Sequence, residues 1–280
     1  MEEKSSQLST SPSPFLRWAG SKRQHINFLK SFWSDSYQRY VEPFAGSAAL
    51  FFALSPKKAL LADLNEELIE MYETIRDHPT RVHRVLSSMP KGREQYYSIR
   101  NWNPVKLTRI QRASRFLYLN RFCFNGLYRT NRQGQFNVPY GAHKAGPIPT
   151  LSQLHSCATL LKRTQLISGD FRNTLSLITK GDFVYLDPPY AVAKRRVFTE
   201  YGAKIFTVDD LEELEEHLRG IDRRGVYFVL SYADCSEARR VFKNWTTRRI
   251  QTRRSVAGFL GARRKQYEIC ATNCKSAPLL

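Results

Sequence analysis

Short apolar, β-forming stretches alternate along this chain with segments of helical period, and that rhythm constrains the fold more than any other feature. RYVEPF at 39–44 runs into AGSAALFFAL, where small residues suit a tight turn that opens a helix. KALLAD at 58–63 ends in Asp63 and leads into NEELIEMYETI, in which Leu68, Ile69 and Tyr72 share one helical face. The pattern returns with QLIS at 165–168, DFVYLD at 182–187, a helix carrying Leu211, Leu214 and Leu218, and GVYFVLS at 225–231. TTRRIQ at 246–251 and YEICAT at 267–272 alternate enough to be closing strands. Strands separated by helices predict the α/β class, with a Rossmann-like, doubly wound, mainly parallel sheet. Ligands of such sheets bind at the carboxyl ends of the strands. Phe44, Asp63, Asp170 and Asp187 all fall at those ends, which predicts one shared site.

Between the second βα unit and QLIS the rhythm breaks. Short helical stretches lead into FNGLYRTNRQGQFNVPYG, whose Gly, Asn and Pro signals predict a hairpin or an ordered loop. The expected organisation is a flexible tail at 1–13, a catalytic domain made of 14–76 and 151–280, and an inserted, mainly helical domain at 77–150 that contains the hairpin loop. There is no internal repeat and no apolar run near the roughly 18 residues that a membrane-spanning helix needs. MEEKSSQLSTSPSP carries no apolar stretch of the secretory type, so a cytoplasmic protein with no membrane partner is expected.

Charge adds a partner. Lys and Arg number 44 against 25 acids in 280 residues, a formal net charge of +19, which favours a polyanion through counterion release. Basic residues crowd 109–132, 194–196 and 248–265, whereas DDLEELEE at 209–216 reads as a solvated acidic helix face. Five cysteines at irregular spacing with no CxxC pair, and six scattered histidines, predict neither a disulfide framework nor a metal site.

The segment Val41-Glu42-Pro43-Phe44-Ala45-Gly46-Ser47 places small residues after a strand, where backbone can pass close to a ligand. Asp63, beyond the next strand, suits ribose hydroxyls. Phosphate-cradling GxGxxG and GxxxxGK[ST] patterns are absent, which argues against dinucleotides and nucleoside triphosphates and leaves an adenosine ligand without phosphates.

Asp187-Pro188-Pro189-Tyr190 is the most specific motif. Consecutive prolines fix φ and remove two backbone donors, so the Pro188 carbonyl is available to a ligand where the sheet ends. An exocyclic aromatic amine is a poor nucleophile because its lone pair is delocalised into the ring. If the Asp187 carboxylate and the Pro188 carbonyl each accept one amine hydrogen, the lone pair is aimed at an electrophile and developing positive charge is stabilised. Tyr190 can stack on the base. Lys194, Arg195 and Arg196, just beyond, are candidates to clamp phosphates.

These motifs resemble the Dam-like, D12-class adenine-N6 DNA methyltransferases over about residues 14–275. The resemblance rests on FLRWAGSK (15–22), VEPFAGSAALFF (41–52), LADLNEELIEMY (61–72), NRFCFNGLYRTNRQGQFNVPYG (120–141), GDF (169–171) and YLDPPY (185–190), in that order. It implies S-adenosyl-L-methionine as cofactor, S-adenosyl-L-homocysteine as product, and double-stranded DNA as partner. By position it implies that Trp18, Ala19 and Lys22 touch the methionine part of the cofactor. Phe44 and Gly46 would line its loop, Asp63 hold the ribose, Asp170 and Phe171 contact the adenine, and Asp187 border both cofactor and substrate. Catalysis falls to Asp187, Pro188 and Tyr190. Arg17, Phe124, Asn125, Leu127, Arg129 and Pro139 match the family's DNA-recognition positions, and Arg121 and Asn131 of the same segment are grouped with them. Arg129 suits a guanine edge and Phe124 a wedge beside the flipped adenine. GATC is the expected target, and a monomer in solution, with more than one copy on DNA, the expected state. One position departs from the family pattern: Ala48 stands where a second glycine is common, and a methyl there resists positive φ.

Two alternatives remain at this level. An RNA or other amine methyltransferase with the same Asp-Pro-Pro-Tyr chemistry lacks the 120–141 segment. An inactive DNA-binding homologue conflicts with an intact Asp187, Tyr190 and Lys22. Cytosine-C5 chemistry needs a cysteine nucleophile, and no Pro-Cys pair occurs.

Overall fold

The computed structural model describes residues 12–131, 133–142, 145–191, 206–252 and 266–274. Its strands are β1 (Arg39–Glu42), β2 (Ala59–Asp63), β3 (Thr164–Ser168), β4 (Asp182–Leu186), β5 (Tyr227–Ala233), β6 (Thr246–Thr252) and β7 (Gln266–Thr272). The helices are α1 (Ile26–Lys30), α2 (Ala49–Leu54), α3 (Glu66–Asp77), α4 (Pro79–Ser88), α5 (Arg93–Arg100), α6 (Arg109–Phe122), α7 (Leu151–Leu161), α8 (Phe171–Ser176), α9 (Val208–Arg223) and α10 (Ser236–Val241).

The strands form one seven-stranded sheet in the order β3-β2-β1-β4-β5-β7-β6. The first five of that order pair in parallel, and β7 runs antiparallel to both β5 and β6. The predicted α/β, doubly wound architecture is therefore observed. Its central strands are buried on both faces because successive side chains point to opposite sides. Tyr40, Leu61, Phe183, Tyr185 and Val229 join one hydrophobic cluster, while Val41, Leu60, Val184, Leu186, Phe228 and Leu230 join the other.

Helices α8, α9 and α10 cover the second cluster. The first is covered by residues of α1 to α7, so the described part of 77–150 packs into the same core as the sheet. The FNGLYR stretch forms an ordered loop. It is closed by two isolated antiparallel bridges, Cys123 with Tyr140 and Thr130 with Phe136.

Element boundaries differ from the expected ones for local reasons. β1 stops at Glu42 because Pro43 has no amide hydrogen to donate. α2 begins only at Ala49, since Gly46 and Ala48 both take positive φ (46° and 48°) before the helical turn is reached. α9 starts cleanly at Val208 on a Thr207–Asp210 capping box. The outer strand β6 is rich in Thr and Arg, which suits an edge left open to water.

Candidate active site

Strand order reverses between β1 and β4, which are direct neighbours, so the loops leaving their carboxyl ends flank one crevice. Residues 43–48 leave β1 and Asp187 to Ala191 leave β4. The two most specific sequence motifs are brought together by this topology.

The loop after β1 is pinned from two sides. Gly46 donates its amide to Asp63 Oδ2 (2.9 Å), and its carbonyl accepts the Tyr72 hydroxyl (2.7 Å). Asp63 Oδ1 also accepts the Asn65 amide at 3.0 Å, so the carboxylate that ends β2 organises the loop that ends β1. Burial pushes the Asp63 carboxyl up and these backbone amides pull it back. At Gly46 a Cβ would lie 2.7 Å from Trp18 Nε1, and φ is in the left-handed region, so only glycine fits without displacing the indole.

Asp187 lies at the centre of a buried polar cluster. Its Oδ1 accepts from Lys22 Nζ at 2.8 Å and from Ser231 Oγ at 3.1 Å. Oδ2 has no protein partner among the described residues. Lys22 also donates to the Gly20 carbonyl (3.1 Å) and lies 3.6 Å from Glu268 Oε1. Glu268 Oε1 accepts the Tyr190 hydroxyl at 3.2 Å. Burial pushes the Asp187 carboxyl up, Lys22 pulls it down, and Glu268 pushes it up again. Pro188 is buried, and Ala191 donates its amide to the Tyr232 hydroxyl at 2.5 Å, with the Tyr190 and Tyr232 rings edge to face at 5.2 Å. Behind the cluster, Tyr40 donates to the buried Glu42 carboxyl (2.9 Å), whose burial holds it well above the usual carboxylate range.

One side of the crevice is aromatic. Phe44 lies 5.4 Å from Phe171, and Phe206 contacts both rings. Asp170 caps α8 through the Arg172 amide (3.1 Å). The Arg172 guanidinium binds Asp170, Asp210 and Glu213, tying α8 to the start of α9.

The segment 15–22 links all of these parts. The Arg17 amide donates to Asn120 Oδ1 and its carbonyl accepts from Asn120 Nδ2, at 2.9 and 2.6 Å. Trp18 stacks on Tyr128 (6.0 Å) and borders Gly46. Ala19 lies in the turn closed by the Ser21 amide on the Trp18 carbonyl, and Lys22 reaches Asp187.

The other sequence candidates fall on the adjacent loop. The Arg17 guanidinium donates to the Arg121 carbonyl (3.1 Å), and Arg121 donates to the Phe15 carbonyl (2.6 Å). Burial and the neighbouring Arg17 and Arg23 push the Arg121 guanidinium down to about 10. Phe124 donates its amide to the Pro139 carbonyl (2.9 Å), Asn125 takes a left-handed φ of 55°, and Leu127 packs against the core. Arg129 Nε donates to Asn137 Oδ1 at 2.8 Å. Asn131 Oδ1 accepts the Gln133 and Gln135 amides (3.0 and 2.9 Å), so its carboxamide braces a turn of this loop. Lys194, Arg195 and Arg196 lie outside the described residues.

Glu268, Ser231, Glu42, Tyr72 and Asn120 all hold this site together, and sequence reading did not select them. The usable signal for Glu268 was a lone acid inside the apolar run YEICAT, because an acid in a buried strand needs a partner. Among the described residues no group of three or more His, Cys, Asp or Glu is arranged to hold a metal, and no helix is long and apolar enough to cross a membrane.

Comparison with known proteins gives a family. The profile of the D12 class N6 adenine-specific DNA methyltransferases matches residues 18–256. The chain is 34% identical to the type II methyltransferase M1.LlaDCHI of Lactococcus lactis subsp. cremoris, over 93% of this chain and 95% of the relative. It is 35% identical to the type II methyltransferase M.MjaIII of Methanocaldococcus jannaschii, over 78% and 83%. To a DNA adenine methylase of Vibrio cholerae it is 30% identical, over 92% and 94%.

Proposed function

Since the chain belongs to the D12 class of N6 adenine-specific DNA methyltransferases and is such an enzyme, we propose that it moves a methyl group from S-adenosylmethionine to N6 of an adenine extruded from duplex DNA, with GATC as target. The observation that carries this reading is the joining of Asp187 to the Gly46 loop through segment 15–22, which spans donor and acceptor sites in eight residues.

The residues present fit the cofactor. Gly46 lets the loop close against the Trp18 indole, Asp63 offers a carboxylate to ribose hydroxyls, and the aromatic wall of Phe44, Phe171 and Phe206 suits a purine. When bound, S-adenosylmethionine supplies an electrophilic methyl on a sulfonium. Trp18, Ala19 and Lys22 would border its methionine part, with Asp170 and Phe171 at its adenine.

For the acceptor, Asp187 Oδ2 and the Pro188 carbonyl take the two N6 hydrogens, turning the nitrogen lone pair out of conjugation. Their negative ends stabilise the positive charge that develops on N6 as the bond forms, and the Asp187 carboxylate can take the proton that must then leave. Tyr190 stacks on the adenine, offsetting part of the few kcal/mol that extrusion from the duplex costs.

For DNA, Arg129 is assigned to a guanine edge, Phe124 to the space beside the extruded base, and Asn125, Leu127 and Pro139 to the same recognition surface. Arg17, Arg121 and Asn131 are assigned to its support and to the phosphates. Supporting this, the loop that bears them is tied to segment 15–22 by the Arg17–Asn120 pair of hydrogen bonds. Residues 77–150 are accordingly the target-recognition part.

The test is methylation of a plasmid by the purified protein with labelled S-adenosylmethionine, followed by mapping of modified adenines. Methyl groups confined to adenine in GATC are expected, and none from the Asp187→Ala variant, which should still bind DNA. Wild-type transfer by that variant would overturn the assignment of the site, and methylated adenines in another sequence would overturn GATC.

A further inference from the structure

The proposed function uses Asp187 and Tyr190 but gives no part to the buried acid that bonds Tyr190 and lies beside Lys22. We infer that Glu268, at the start of β7, is a positioning residue for methyl transfer: it anchors the Tyr190 hydroxyl and the Lys22 ammonium, and so fixes both catalytic side chains from a strand that enters the sheet antiparallel. The inference rests on the assignment of Asp187 and Tyr190 made above.

Three observations carry it. Glu268 is only 4% exposed, and a buried carboxylate persists only where partners compensate its lost hydration. Oε1 serves two groups, Tyr190 OH at 3.2 Å and Lys22 Nζ at 3.6 Å. Lys22 in turn lies 2.8 Å from Asp187, so the order Tyr190, Glu268, Lys22, Asp187 is continuous.

Register explains why this residue and no neighbour can do it. β7 pairs with β5 so that Glu268 lies opposite Ala233, at the carboxyl end of β5, beside the motif that follows β4. Cys270, two residues on, already packs in the hydrophobic cluster.

The charges also fit the reaction. The cluster holds, formally, one ammonium and two carboxylates, a net of −1 in a low-dielectric crevice that must receive a sulfonium and then a positively charged amine. Without Glu268, Lys22 would cancel Asp187 and the site would be formally neutral.

Among the described residues, the titratable and charged groups around Asp187 are Lys22 from the N-terminal segment, Tyr40 and Glu42 from β1, Tyr185 from β4, Tyr190 of the same motif and Glu268 from β7. His25, beside Lys22 and Glu268, is a further neighbour. Removing the Glu268 charge frees Lys22 to draw Asp187 down, so the acid limb of kcat, where Asp187 gains a proton, should move to lower pH.

The experiment is steady-state and single-turnover methylation by Glu268→Gln and Glu268→Asp, across pH, beside Asp187→Asn. Glu268→Gln should lower kcat about 10- to 100-fold. KM for DNA and cofactor should stay within about threefold, and the acid limb should move down. Glu268→Asp, which keeps the charge, should recover part of kcat and return the limb to its wild-type position. Unchanged kcat in Glu268→Gln, or a loss of kcat with an unmoved limb, overturns the inference. Substantial activity in Asp187→Asn overturns the prior assignment instead.

Discussion

Lys22 Nζ lies 2.8 Å from Asp187 Oδ1, with 7% and 20% of the two side chains exposed, so a residue from the N-terminal segment biases the charge of the residue that follows β4. An ionised carboxylate left buried without its partner costs about 3–5 kcal/mol, and protonation is the cheaper outcome. Lys22 holds the Asp187 carboxyl down against burial, so its removal raises that carboxyl. The acid limb of kcat in Lys22→Met should therefore move to higher pH, opposite in direction to Glu268→Gln. At neutral pH transfer should fall by about 100-fold, while Lys22→Arg retains more. A pH–rate profile of Lys22→Met superimposable on wild type would remove Lys22 from the reaction.

Much of this was legible in the sequence because it is local. Strand and helix periods predicted the α/β sheet, and an acid at the end of an apolar run marked Asp63 and Asp187 without any knowledge of pairing. Glu268 and Ser231 were not legible, since their role depends on β7 turning antiparallel beside β5, a long-range register that no window of sequence contains. Asn120 was hidden in a helix, and its bonds to Arg17 span 103 residues. Asn131 is grouped by its sequence neighbours with the DNA-facing residues, and that its carboxamide also braces the backbone of its own loop shows only in the structure.

Glu42 supplies a prediction about stability. Its folded carboxyl is held well above the ordinary range, chiefly by burial. Between the unfolded and folded values the native state binds more protons than the unfolded state, so stability falls as pH rises through that window. Glu42→Gln keeps an acceptor for the Tyr40 hydroxyl and removes the titration. Thermal melting at about pH 5 and about pH 8 should show the variant gaining on wild type as pH rises. A difference that stays constant over this range would mean that Glu42 is ionised in the fold.

The loop after β1 separates two small residues that sequence alone treats alike. Gly46→Ala puts a Cβ within 2.7 Å of Trp18 Nε1 at φ 46°, and strain plus displacement of the indole should cost roughly 2–4 kcal/mol. Cofactor affinity should fall at least about tenfold, since the moved groups are the ones proposed to border the ligand. Ala48 already sits at φ 48°, so Ala48→Gly relieves roughly 1–2 kcal/mol of left-handed strain. It also gives up about 0.8 kcal/mol of buried methyl and about 0.4–1 kcal/mol of unfolded-chain entropy. The net should be within about 1 kcal/mol of wild type. Chemical denaturation and calorimetric titration with S-adenosylmethionine check both, and equal effects at the two positions would contradict the geometry.

Arg129 and Asn137 give the prediction about specificity. Arg129 Nε and Nη2 donate to the side-chain and main-chain oxygens of Asn137, at 2.8 and 3.4 Å, which fixes the plane of the guanidinium before DNA arrives. A planar donor held this way is suited to the acceptor edge of one guanine, and the loss of such a contact costs about 1–3 kcal/mol of discrimination at a single base pair. Arg129→Ala should therefore relax one position of the target while leaving the salt dependence of binding nearly unchanged. Asn137→Ala should relax the same position by less, because the arginine remains but is no longer oriented. Competition binding against single-substitution duplexes at several salt concentrations reads both effects. A phosphate contact behaves differently: its loss weakens every sequence alike and lowers the salt slope by about one. That second pattern in Arg129→Ala would move Arg129 from base reading to backbone binding and leave Asn137 with a purely structural role.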